Sequence, residues 1–145
     1  MVFDPTVTST TVASILSISL TSSITLFLNK RNQRKSLDDQ LDNILKISIQ
    51  YPYLESDSFT LSWDPNFDKN DDKYLRYDIY CTLLFNFLFR VSEFYRFDKK
   101  KIEDYIAIKE WVRLHEKYWK NPTSKYENLD GYEIIYVNLI NSYLR

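Results

Sequence analysis

The feature that most constrains this chain is an unbroken uncharged run from Val7 to Leu28, VTSTTVASILSISLTSSITLFL. Its 22 residues include no Pro and no Gly. At about 1.5 Å of rise per residue, a helix of this length reaches roughly 30 Å, the thickness of a bilayer's hydrocarbon layer. The next residues, NKRNQRK, bring Lys30, Arg31, Arg34 and Lys35 together. An apolar run closed by a basic cluster predicts a single-pass membrane helix with the N-terminus outside and the following domain cytoplasmic. A secretory signal peptide needs its positive charges before the apolar core, and here they come after it. The four basic side chains are suited to anionic lipid headgroups.

Half of the run, 11 of 22 residues, is Ser or Thr. Thr10, Ser14, Ser17, Thr21 and Thr25 follow steps of three and four, so a helix lines them up as one stripe. Leu16, Leu20, Ile24 and Phe27 form an apolar line beside it. Small hydroxyl residues on one face let helix backbones approach closely and offer interhelical hydrogen bonds. They also bond back to carbonyls of their own helix. The stripe therefore reads either as a self-association face or as the polar side of a plain anchor.

One glycine, Gly131, serves all 145 residues. Glycine-rich phosphate loops, dinucleotide fingerprints and nucleophile elbows each need several, so none can be built here. The single cysteine, Cys81, allows no disulfide within the chain. Past residue 35 there are 15 basic and 19 acidic residues, a balance that argues against direct nucleic-acid binding. With 44% hydrophobic and 17% aromatic residues, the chain has enough apolar mass for one small core.

Helical periodicity covers most of the remainder. Leu37, Leu41, Ile44, Leu45 and Ser48 share a face that Tyr51-Pro52 terminates. Ser36 either caps this helix or lies inside a continuation of the first, since nothing between Leu28 and Ser36 breaks one. Residues 55–72 read as an acidic loop. Asp64, Asn66, Asp68, Asn70 and Asp72 alternate like calcium ligands, but Lys69 and Leu75 stand where Gly and a bidentate Glu are required. Trp63 and Phe67 are expected to pack this loop down, a partner contact being their other use. Residues 73–97 form the most apolar helix, nearly apolar all round from Ile79 to Phe89 and so expected to be enclosed. Asn86 in its middle either satisfies its amide inside the bundle or serves a pairing contact. Asp98 caps a helix running to Asn121-Pro122, with Ile108, Val112, His115 and Trp119 on one face. A last helix, about 129–144, places Tyr132, Ile135, Tyr136, Leu139 and Tyr143 together. His115 is the only histidine. It could serve Cys81 as a base if the fold joined them, but the apolar neighbours of both favour structural burial.

Three segments carry a resemblance: Tyr51-Pro52-Tyr53-Leu54-Glu55, Tyr80 through Phe87 in YCTLLFNF, and Trp111 through Trp119 in WVRLHEKYW. Their order resembles small bacterial proteins with one N-terminal membrane helix and a compact cytoplasmic helical domain, some similar to membrane components that accompany phage-defence genes. The resemblance implies a membrane-linked effector and attaches no chemistry to any residue.

These readings predict an all-α chain with a transmembrane anchor and basic stop over 1–35 and a four-helix cytoplasmic domain over 36–145. The expected function is a non-enzymatic effector without cofactor or metal. It would bind a cytoplasmic protein partner and self-associate as a homo-oligomer at the bilayer, permeabilising it as one mode of action. A passive anchor that recruits a soluble partner is the alternative.

Overall fold

The computed structural model describes the backbone of residues 5–124 and 130–144, with side chains from Ser22 onward. All regular elements among the described residues are helical. The chain divides into two compact units, Met1–Ser36 and Leu37–Arg145.

Helix α1 runs without interruption over Pro5–Gln50. Pro5 stands at its first position, where a missing N–H costs nothing, and no Pro or Gly follows until Pro52. Ser36 therefore lies inside this helix and caps nothing. Pro52 ends it by restricting Tyr51, which sits at φ −132° and ψ 73°. Within the second unit, Leu37 and Ile44 are buried and Leu41, Ile47 and Ser48 are half-buried. Leu45, expected on that face, is exposed, because the contact with the core is narrow and follows the 37–44–48 line.

A 3-10 turn, Pro52–Glu55, and the one-turn helix α2, Asp57–Thr60, follow. The acidic loop then folds through local bonds. The Asp64 and Asp68 carboxylates accept from the backbone N–H of Asn66 and Asn70, each at 2.9 Å. Asp71 caps α3 by accepting from Lys73 N–H at 2.9 Å. The alternating Asp/Asn pattern is thus accounted for by turns.

Helix α3, Asp72–Phe94, is the centre of the domain. It buries Tyr77, Tyr80, Cys81, Leu84, Phe85, Phe87, Leu88, Val91 and Ser92. It is not enclosed on every side as its composition suggested, because Leu75, Ile79 and Leu83 are exposed. After Phe94 the chain turns on Arg96 and Phe97, both left-handed at φ 55° and 59°. Phe97 N–H returns to Ser92 C=O at 2.7 Å, closing the last turn of α3. Asp98 then caps α4 by accepting from Lys101 N–H, as its position suggested.

The single helix expected over 98–120 is three pieces: α4 (Lys99–Tyr105), α5 (Ile108–Leu114) and α6 (Glu116–Lys120). In a continuous helix Ile106 and Ile108 would point about 200° apart. Both are buried, and the extended backbone of Ile106 (φ −144°, ψ 157°) reorients the chain to allow it. Beyond the break, Ile108, Val112, His115 and Trp119 do share a buried face. Helix α7, Ile134–Asn141, is shorter than expected and buries Tyr136, Val137 and Ile140, while Ile135 faces outward. The four-helix description of the domain therefore gives way to the end of α1, one long helix, α3, and a run of short ones.

The core is aromatic, and several of its polar tips are paired inside. Tyr136 OH donates to Phe85 C=O at 2.7 Å and Tyr118 OH to Asp78 at 2.9 Å. The indole N–H of Trp119 donates to Asn141 Oδ1 at 2.9 Å. Such pairing lets large rings be buried without stranding a donor.

Candidate functional site

A buried polar cluster forms where four segments meet. The end of α1 supplies Ser48, and the 3-10 turn supplies Glu55. Tyr77, Tyr80 and Cys81, spaced i, i+3, i+4, share one side of α3. The joint between α5 and α6 supplies His115, whose backbone (φ −102°, ψ 19°) lies outside the regular helix.

The His115 ring is fully buried. Its Nδ1 lies 2.9 Å from Tyr77 OH and 3.8 Å from Cys81 Sγ. On the opposite edge Nε2 has no hydrogen-bond partner, with Glu55 Oε1 at 3.6 Å, just out of reach. Tyr80 OH donates a short hydrogen bond to the same carboxylate oxygen. Ser48 Oγ lies 2.8 Å from Tyr80 OH. Burial tends to raise the Glu55 carboxyl, but His115 and the Tyr80 hydroxyl outweigh it and hold the group below the ordinary value of 4.5. Burial also pushes the Tyr77 and Tyr80 phenols and the Cys81 thiol upward, so all three stay protonated.

The fold therefore joins Cys81 and His115, with Glu55 across the ring in the order nucleophile, base, carboxylate. The surroundings oppose thiolate chemistry. Cys81 has no exposed surface, burial disfavours its ionised form, and Tyr77 already occupies the nitrogen nearest the sulfur. A metal shared by all three is also excluded by geometry, since Cys81 and Glu55 face opposite ring nitrogens. What the arrangement does provide is a polar clasp across α1, the 3-10 turn, α3 and the α5–α6 joint.

This clasp is sensitive to acid. A carboxyl whose folded value is depressed stabilises the fold fully above its unfolded value, and the stabilisation is lost as pH falls through the folded value. The stability difference between wild type and Glu55→Gln should therefore be constant above about pH 4.5 and shrink below it. Denaturant unfolding at a series of pH values measures this, and a difference that grows on acidification would contradict the assignment.

The residues singled out from sequence fall in several places. Thr10, Ser14, Ser17 and Thr21 lie outside the described side chains. Thr25 and the basic residues Lys30, Arg31, Arg34 and Lys35 are exposed along α1. Trp63 is not a surface contact: it is 1% exposed, and its indole N–H donates to Asn121 C=O at 2.8 Å. Its ring packs against Tyr77, Tyr118 and Phe67 at 5.0 to 5.5 Å, a burial that exceeds anything an open loop could offer. Phe67 is half-buried and stacks on Tyr74. Asn86 is exposed and not inside the bundle, accepting from Tyr132 OH at 2.9 Å. Sequence reasoning missed Ser48, Glu55, Tyr77 and Tyr80. The i, i+3, i+4 spacing on α3 was a usable signal, whereas nothing local marks Glu55.

Among the described residues no helix is long and apolar enough to cross a membrane, and most of the 7–28 run lies outside the side chains described. No protein family, curated protein or solved structure matches this chain.

Proposed function

We propose that this chain is a membrane-anchored, non-enzymatic effector. Its helical domain binds a cytoplasmic protein partner, and it acts by self-association at the bilayer. The observation that supports this reading is the apolar surface of α1 ahead of its basic cluster. Leu26 and Phe27 are 70% and 68% exposed, with Ile24 and Leu28 exposed beside them. Contiguous apolar surface of this kind is costly in water and calls for lipid or another chain. Lys30, Arg31, Arg34 and Lys35 follow within two turns, where headgroups would meet them. The resemblance read from the segments around Tyr51, Tyr80 and Trp111 is what inclines this proposal to an effector over an inert tether.

The hydroxyl stripe distinguishes the two. Replacing Thr10, Ser14, Ser17 and Thr21 by Leu should keep or strengthen insertion while removing the face on which helices approach closely. At equal expression, cross-linking between chains through this segment should fall and depolarisation by the triggered protein should disappear. Replacing Leu16 and Leu20, roughly a third of a turn round the helix from the stripe, by Val should change neither. A stripe variant that assembles and acts like wild type would leave a passive anchor that recruits a soluble partner.

A further inference from the structure

The helical domain carries opposite charge at the two ends of α3. Ser48 Oγ lies 2.8 Å from Tyr80 OH, and Arg90 donates to Gln40 Oε1 at 2.7 Å. Positions on α3 rise as those on α1 fall, so the two helices run antiparallel. The C-terminal end of α3 therefore lies where the chain enters the unit at Leu37. Tyr105 OH, donating to Asp38 at 2.8 Å, brings α4 to the same end. The connection between them, Arg96-Phe97-Asp98-Lys99-Lys100-Lys101, sets four basic residues against one acid. That acid is engaged, since Asp98 caps α4 and pairs with Lys101 Nζ at 2.8 Å. Glu93 lies a turn back along α3, and Glu103 and Asp104 stand in the last turn of α4, so Arg96 and the first turn of α4 form a basic tip. Beyond the other end of α3, residues 57–72 hold five Asp against Lys69. The 23 residues of α3, about 35 Å, separate the two clusters.

Two further features belong to the tip. Arg96 and Phe97 are left-handed, a conformation that disfavours any residue with a Cβ and that glycine adopts freely. Phe97 is half-buried and closes the turn onto Ser92, whereas Arg96 is exposed. Beside it Tyr95 and Tyr105 are half-buried, with ring centroids 5.6 Å apart. Tyrosines, apolar in the ring and polar at the hydroxyl, collect at membrane–water interfaces.

We infer that this tip, Arg96, Lys99, Lys100 and Lys101 flanked by Tyr95 and Tyr105, is a docking surface for anionic phospholipid headgroups, additional to the cluster at Lys30–Lys35. It rests on the membrane-anchored reading above, because the anchor supplies the bilayer. Nine residues of α1 separate Leu28 from Leu37, a rise of about 14 Å. Tethering at that range makes a weak contact effective. An anionic leaflet attracts the basic tip and repels the acidic loop, so the same charge pattern that binds the domain also orients it.

The test uses the full chain reconstituted in vesicles of phosphatidylethanolamine and phosphatidylglycerol with a trace of nitroxide-headgroup lipid. A fluorophore is attached at Asp104→Cys, one turn along α4 from Lys100, or at Ser58→Cys, beside the acidic loop. Cys81 is buried, so labelling spares it. Quenching at position 104 should exceed quenching at 58, and should fall when phosphatidylcholine replaces phosphatidylglycerol. Arg96→Gly and Lys100→Gln should each lower the docked-to-undocked ratio about five-fold. Arg96→Gly separates function from packing, because glycine suits the left-handed backbone. Its melting temperature should hold or rise while its docking falls. Equal quenching at both positions, or quenching indifferent to lipid charge and to both substitutions, would overturn the surface. Flotation on phosphatidylcholine vesicles reads the anchor separately. Chains that float there without charge-dependent quenching keep the anchor and lose the tip. Chains that bind only phosphatidylglycerol vesicles, through Arg96 and Lys100, keep the tip and lose the anchor.

Discussion

Phe85→Ala is expected to destabilise the domain by about 3–5 kcal/mol, the cost of deleting a large buried ring that neighbours cannot replace. Phe85 has no exposed surface. Its ring lies 4.8 Å from that of Trp119 and stacks on Tyr118 at 6.2 Å. Its own carbonyl accepts the buried Tyr136 hydroxyl. Its ring therefore joins α3 to α6, and the rigid rings of Tyr118 and Trp119 cannot collapse into the space it leaves. Urea or thermal unfolding followed by circular dichroism reads the loss. An unchanged midpoint would mean that the central helix is not packed in this way.

His115→Ala is expected to cost about 3 kcal/mol, from two sources of comparable size. One is the cavity under the Tyr77 and Tyr80 rings, whose centroids lie 5.6 and 5.8 Å from the imidazole. The other is the buried Tyr77 hydroxyl, left without its ring-nitrogen partner, a loss worth about 1–3 kcal/mol. A double-mutant cycle separates them. Tyr77→Phe alone should be destabilising, but in the His115→Ala background it should recover part of the loss by removing the orphaned hydroxyl. Strictly additive effects would show that the Tyr77–His115 bond contributes nothing.

Much of the fold could be read from residues that act locally. Pro52 and Pro122 stop helices because they lack an N–H, and Asp98 caps one because its carboxylate reaches the following turn. The buried line of Ile108, Val112, His115 and Trp119 follows from spacing alone. The break between α4 and α5 could not be read in the same way. Every residue from Lys99 to Lys120 tolerates a helix, and only the need to bury Ile106 and Ile108 together interrupts it. The outward turn of Leu45 and Ile135 has a similar origin, since spacing defines a stripe but not which edge of it meets a neighbour. The polar clasp was half legible. Cys81 and His115 stood out as singletons, but Glu55 looked like one more acid in an acidic stretch. Its role comes from a 3-10 turn that brings it beneath His115 from 60 positions earlier in the sequence.

The last turns of α1 also form part of the core, and this bears on where a protease can cut without harm. Leu37 and Ile44 are buried in the domain, Tyr105 OH donates to Asp38 at 2.8 Å, and Ser48 meets Tyr80. A protease that cut after residue 50 would strip these groups away and leave an open hydrophobic face. A cut in the exposed stretch before Leu37 would free a domain with its packing whole. Among the described residues, a cut that leaves the Leu37–Arg145 unit whole therefore falls in the exposed stretch before Leu37, which carries the basic cluster.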